Sequence, residues 1–351
     1  MISLSSSGLN SRAKQAAVAR WNGVAKPLYS LGYMEDLVVQ IAGIQETAEI
    51  CIEPRCALVF CADHGVVAEG VSQSGSEVTA LVAESVADGG ANINLMAGVA
   101  GADVFAVDMG MARDVDHPGI LLRKTAYGTE NMTKGPAMSR AQAEAAVQAG
   151  IDLVGEMKGR GYRMIATGEM GIGNTTASSA LACALLGLPV ESMTGRGAGL
   201  SDEGLLRKIS AIERALEVNR PNPEDAMDVL SKVGGYEIAG MTGAFLGGMV
   251  HRVPVVIDGV ISAVAALIAV RICPAAKDFM LPSHQSREPA GRIIMDALGL
   301  NPVVHAGMAL GEGTGAVMLF PLIDMALRVY RGTHTFDDLG MEAYTPQGGR
   351  K

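Results

Sequence analysis

The 351-residue chain lacks any run of lysines and arginines: 28 basic residues against 37 acidic leave a net charge of -9. That balance argues against a broad nucleic-acid or anionic-membrane footprint, so any anion the protein binds must be gripped locally. Its five cysteines, Cys51, Cys56, Cys61, Cys183 and Cys273, form no C-x-x-C pair, and the odd count suits reduced thiols at small core positions rather than a disulfide framework. No segment supplies the roughly eighteen uninterrupted apolar residues of a membrane span; the longest candidate, GVISAVAALIAV from Gly259 to Val270, is too short. Residues 1–30 place charges where an export signal needs an apolar block, so the expected compartment is the cytoplasm. The six histidines, His64, His117, His251, His284, His305 and His334, include no H-E-x-x-H and no i, i+4 pair, so no metal site is expected. Nor is there a G-x-S-x-G elbow, which argues against a serine hydrolase despite Ser283, His284 and Ser286 standing together.

What is present is an apolar fraction of 49%, enough for one large domain or one domain with a smaller lobe. Short β-branched runs ending in Gly, Asp or Ser alternate with longer Ala/Leu-rich segments of helical period, the pattern of an α/β protein whose parallel sheet is covered on both faces. Strands are expected at 56–63, 103–110, 163–170, 253–259 and 278–284, with a sixth candidate at 302–308. Helices are expected at 77–87, 140–157, 175–186, 202–216, 223–233, 261–271, 289–298 and 315–330. Residues 1–50 are helical in pattern without a strand, which suggests a small helical lobe joined by part of 315–351 and packed on a sheet domain spanning 51–314. The final segment, ending AYTPQGGRK, reads as a loose tail.

The residues with chemical potential follow the strands: Asp63-His64-Gly65, Glu169 to Asn174, Asp258-Gly259, Ser283 to Ser286, and Glu312. In open α/β sheets ligands bind outside the carboxyl ends of the strands, so these segments are expected to converge on one crevice. GEMGIGNTTASSAL, from Gly168 to Leu181, passes from a strand through Gly171 and Gly173 into a helix starting near Asn174 or Thr175. Free amides and the helix dipole make that turn an anion cradle. Its spacing is that of a Walker A loop, but Asn174 stands where the phosphate-binding lysine belongs, so a monophosphate suits it better than a triphosphate. A plain packing turn is the competing reading. TGRGAGL (Thr194 to Leu200) and GGYEIAGMTGAFLGG (Gly234 to Gly248) are two further glycine clusters that would let backbone approach a ligand. Lys208 is either a cation supplementing an anion site or a solvated helix lysine. In LGEGTGAV, Leu310 to Val317, Glu312 precedes an apolar helix whose positive end favours an ionised carboxylate able to take a proton; a helix-capping role is the alternative.

Taken together, ADHGVVAEGVS, GEMGIGNTTASSAL, TGRGAGL, GGYEIAGMTGAFLGG, PVVIDGVISAVAAL, SHQSREPAG and ALGEGTGAVMLFPLIDMAL resemble the nicotinate-nucleotide:dimethylbenzimidazole phosphoribosyltransferases of cobamide lower-ligand activation, in unbroken order from about Ala25 to Ala326. The resemblance implies a Rossmann-like parallel sheet with a small helical domain. It also implies transfer of the 5-phosphoribosyl group of nicotinate mononucleotide to a lower-ligand base, with inversion at C1', giving an α-ribazole phosphate and nicotinate. Its partners are then the nucleotide and an aromatic base, with no cofactor and no nucleic acid, in a homodimer or a pair with a paralogue. By motif match Glu312 is the general base and Glu169 its catalytic companion near the nucleotide. The match places Gly171, Gly173, Asn174, Thr175, Lys208, Asp258, Ser286, Ser72 and Leu310 around the substrates. Departures from the family pattern fall at Leu28 and Tyr29 and at Ala80, where many relatives carry Gln after EVT; if these segments line the base pocket, a phenolic or purine acceptor becomes an alternative. A non-catalytic nucleotide-binding subunit is the alternative of another class.

Overall fold

RCALVFCA, from Arg55 to Ala62, is buried at every residue, as a strand covered on both faces requires. It forms β1, the centre of the sheet in the computed structural model, which describes residues 8–345 and 347. The end of the expected loose tail lies outside the described residues.

Ahead of β1 come α1 (Ser11–Gly23) and α2 (Tyr33–Gln45); after it come α3 (Glu77–Ala87), α4 (Asn92–Val99), β2 (Asp103–Gly110) and β3 (Ile120–Leu122). The chain continues through α5 (Arg140–Gly159), β4 (Met164–Met170), α6 (Asn174–Leu186), α7 (Val190–Met193), α8 (Asp202–Asn219), α9 (Ala226–Val233) and α10 (Tyr236–His251). It closes with β5 (Val255–Ile257), α11 (Val260–Ile272), β6 (Met280–Pro282), α12 (Pro289–Leu298) and α13 (Thr314–Gly332).

The strands run in the order β3-β2-β1-β4-β5-β6, and every pairing is parallel. The expected α/β class with a parallel sheet therefore holds. Order reverses between β1 and β4, and a crevice opens at their carboxyl ends where the order turns. Successive side chains of a strand face opposite ways, so β1 feeds two cores: Leu58 and Phe60 point into one, Ala57, Val59 and Cys61 into the other. The second core also holds Trp21, Leu37 and Ile41 from α1 and α2 and Phe320 and Ile323 from α13, so the terminal helices pack together against the sheet. Among the described residues no helix is long and apolar enough to cross a membrane.

Two expectations are corrected. GGYEIAGMTGAFLGG is the buried helix α10 rather than a ligand loop. Its glycines serve contact with α5, since a Cβ on Gly243 would stand 2.0 Å from the Val147 carbonyl oxygen and one on Gly150 2.0 Å from that of Gly240. The candidate strand at 302–308 is reduced to one parallel bridge between His284 and Val304. Helix α4 and the short edge strand β3 were not expected at all.

Candidate active site

The turns after β4, β5 and β6 and the turn before α13 meet around a cavity of about 310 Å³ at the carboxyl end of the sheet. Of the residues matched around the substrates all but Lys208 line it, but Asp63, His64, Gly65 and Ser283, expected in the same crevice, do not; the His64 ring is instead buried against Glu237, 2.7 Å away. One wall carries the turn Gly171-Ile172-Gly173 and the first residues of α6, Asn174 and Thr175. Gly173 caps α6 at φ 96°, and no side chain caps this helix end; the amides of Asn174 and Thr176 donate to the Gly171 and Gly173 carbonyls, which leaves those of Gly173 and Thr175 as the donors an anion seeks. The TGRGAGL segment contributes Arg196, Gly197 and Ala198 to the same wall.

Lys208 stands just behind that wall. It is fully buried on α8, where its Nζ donates to Thr175 Oγ1 at 2.8 Å and to the Gly195 carbonyl at 3.1 Å. Desolvation brings its ammonium down to about 8, with Glu288 acting in the opposite direction. The solvated-lysine alternative is therefore excluded. The cation backs the cradle through Thr175.

Glu312 lies in the opposite wall, on the turn Gly311-Glu312-Gly313. All three residues adopt positive φ, 86°, 61° and 92°, a conformation unusual for a non-glycine side chain. Its carboxylate does not serve α13, the helix it precedes. Oε1 accepts from Asn92 Nδ2 at 2.8 Å and Oε2 from the Ile93 amide at 3.1 Å, both at the start of α4. The capping alternative, made for the helix that Glu312 precedes, therefore fails; the side chain instead caps the distant α4, which holds its carboxylate in the cavity lining. The end of α13 is satisfied instead by Asp258, whose Oδ1 accepts from the Ala316 amide at 2.9 Å and Oδ2 from the Gly313 amide at 3.3 Å.

Glu169, at the end of β4, is a second buried carboxylate of the cavity lining, beside Asp258. Burial, then the nearby Asp258 charge, push its carboxyl up to about 8, while a hydrogen bond from Asn174 Nδ2 opposes the shift. At neutral pH Glu169 is therefore largely protonated, unlike a carboxylate in water. The Glu312 amide also donates to it, so Glu169 and Asp258 hold consecutive amides of the turn that carries Glu312.

The remaining wall is apolar, with Val71, Val82 and Leu310 beside the Ser72 hydroxyl; Ser286 faces it from the turn after β6. Ala80 is buried in α3 and is no part of that wall. Leu28 and Tyr29, in the turn before α2, are not part of it either, so these departures do not remodel the cavity of this chain directly. The sequence reading missed Asn92, the anchor of Glu312, and Gln73, whose amide bridges the cleft to the Ala198 carbonyl at 3.3 Å.

A strand-end cleft in which an uncapped helix mouth and an oriented carboxylate share one cavity is the arrangement that suits an enzyme acting on a phosphorylated small molecule. The family model of phosphoribosyltransferases matches residues 7–341, and the chain belongs to that family. A relative from Ruminiclostridium cellulolyticum, named nicotinate-nucleotide:dimethylbenzimidazole phosphoribosyltransferase, is 45% identical over 338 residues covering 96% of each chain. One of the same name from Acetivibrio thermocellus is 46% identical over 328 residues, 93% of each chain. The crystal structure of CobT from Thermus thermophilus superposes with a TM-score of 0.90 at 40% identity, covering 95% of this chain and 100% of that one.

Proposed function

We propose that this protein transfers the 5-phosphoribosyl group of nicotinate mononucleotide to an aromatic nitrogen base of the dimethylbenzimidazole type, releasing nicotinate and forming an α-ribazole phosphate for cobamide lower-ligand activation. The observation that carries the proposal is that the uncapped mouth of α6 and the Glu312 carboxylate line one cavity. The relatives' shared name supplies the substrates.

In this mechanism the nucleotide phosphate sits on the α6 amides with Lys208 behind them, and the base lies against Val71, Val82 and Leu310. One ring nitrogen attacks C1' from the face opposite nicotinate, which inverts that centre. As the new bond forms, positive charge gathers on the base and its other nitrogen becomes an acidic N–H, whose proton Glu312 accepts. The departing nicotinate was bound through a cationic ring nitrogen, so it leaves as that charge is neutralised and needs no acid. Neutral Glu169 fits this division of labour, because it supports the turn without competing for the proton. Most of the remaining acceleration comes from alignment of nucleophile, C1' and leaving nitrogen.

The protein is proposed to work in the cytoplasm as a homodimer. Its described cysteines are free, and Leu95 and Val99 stand 70% and 89% exposed on α4, an apolar face that suits a second copy. Incubation with nicotinate mononucleotide and a panel of benzimidazole, purine and phenolic bases, with products resolved by mass, tests the reaction. Benzimidazole riboside phosphates are expected to dominate. Exclusive use of phenols or purines would revise the acceptor, and no product with any base would leave a nucleotide-binding subunit.

A further inference from the structure

The turn that aims Glu312 carries three residues in succession at positive φ, and such a turn persists only where its surroundings over-determine it. Asp258 is the anchor on its helix side. It uses both oxygens, one for Ala316 and one for Gly313. A proton on either oxygen would weaken its acceptance of one of the two amides, so the anchor grips both most strongly as a carboxylate. Asp258 is nevertheless buried and faces a second carboxyl, Glu169, from β4. Burial pushes it toward the neutral form, and the strongest opposing influence is the His284 ring, ahead of the amides of Ala316, Gly259 and Gly315.

His284 follows β6 and is 4% exposed in the cavity wall. Its Nε2 stands 3.7 Å from Asp258 Oδ1, an ion-pair distance, and its Nδ1 is buried without a hydrogen-bond partner. The ring lies so close to the first turn of α13 that a Cβ on Gly315 would come within 1.9 Å of it. The same imidazole therefore touches the anchor and the helix that the anchor holds.

We propose that His284 is a positioning residue for the transfer: it maintains Asp258 as the carboxylate that grips Gly313 and Ala316, and thereby fixes the turn presenting Glu312 to the acceptor base. This rests on the assignment of Glu312 as the proton acceptor. The nucleotide seat, built from α6 and Lys208, takes no part in it.

The test compares His284→Ala, His284→Phe and His284→Gln with Glu312→Gln under saturating base, measuring kcat, the KM for nicotinate mononucleotide and the melting temperature with nucleotide bound. His284→Ala is expected to lower kcat about tenfold to a hundredfold while KM stays within about twofold, the signature of an interaction that serves the transition state. His284→Phe fills the ring's space without a nitrogen and is expected to remain as slow, whereas His284→Gln, whose amide reaches the carboxylate, recovers part of the rate. Wild-type kcat in His284→Phe would overturn the proposal, because packing alone would then suffice. A raised KM with unchanged kcat in His284→Ala would also overturn it, by making His284 part of the nucleotide seat. If the histidine variants slow the reaction but Glu312→Gln does not, the failure lies in the assignment of Glu312 instead.

Discussion

Two turns in this molecule share a closing bond and a final left-handed glycine but differ between them, and the cleft is built from their difference. Gly171-Ile172-Gly173 leads into α6 and Gly311-Glu312-Gly313 into α13. Each closes with the same backbone bond, Asn174 N–H to the Gly171 carbonyl and Thr314 N–H to the Gly311 carbonyl, both 3.0 Å. Each ends on a left-handed glycine, Gly173 at φ 96° and Gly313 at φ 92°. The first leaves its helix end without a side-chain cap, and in the proposed mechanism it receives negative charge. The second has its helix end filled by Asp258 and carries a carboxylate as its middle residue, which in the proposed mechanism receives a proton. The second turn is left-handed at Gly311 and Glu312 as well, which the first is not at Gly171 and Ile172, and different neighbours surround each: Lys208 behind the first turn, Asp258 and Asn92 around the second.

That comparison can be broken by a change that leaves both turns intact in sequence. A Cβ on Gly168, in β4, would stand 2.2 Å from the Glu312 carbonyl oxygen, and backbone there has little room to yield. Gly168→Ala is expected to slow turnover about a hundredfold through misplacement of the carboxylate, with nucleotide affinity, measured by calorimetry, changed far less.

The complementary disturbance falls on the first turn. Lys208→Met keeps the stem and removes the cation, and is expected to weaken nicotinate mononucleotide binding about tenfold, an effect typical of losing a charge-assisted contact. In the parent protein the Lys208 ammonium titrates near 8, so it is charged below that pH and neutral above it. Affinity should therefore fall between about pH 8 and 9 in the parent and stay level in the variant, apart from the ionisation of the phosphate itself.

A smaller effect concerns Glu169, which supports the second turn while neutral. Its carboxyl titrates near 8 in the fold against an ordinary 4.5 when exposed, so between those values the folded state holds a proton that the unfolded state has lost. Stability from this group is accordingly present at low pH and declines as pH rises through that window. Glu169→Gln should flatten the decline: denaturant melts at pH 5 and pH 8 are expected to differ less in the variant than in the parent.

Much of this was legible in the sequence. The ends of α3 and α12 and the length of β2 follow from local period and capping signals, and the glycines and Glu312 were visible because their spacing is unusual. Lys208 carried an overlooked signal: Gly204, Lys208, Ala211, Ile212 and Ala215 form one buried stripe of α8, so its place at helical period already argued for burial. Helix α10 was missed for a physical reason. Its glycines read as loop, and only the close approach of α5, far away in sequence, shows why a helix needs them. The same holds for Asn92 and Asp258, whose roles toward Glu312 depend on tertiary neighbours separated from it by long stretches of chain.

The central claim is that one turn seats the nucleotide and the other takes the proton. The most direct measurement is of Glu312→Gln, which keeps the shape of the side chain, with calorimetric binding of nicotinate mononucleotide and turnover with dimethylbenzimidazole determined on the same preparation. The account expects binding within about threefold of the parent and turnover lowered about a thousandfold, the scale of a lost general base. Parent-like turnover, or loss of nucleotide binding in step with turnover, would contradict it.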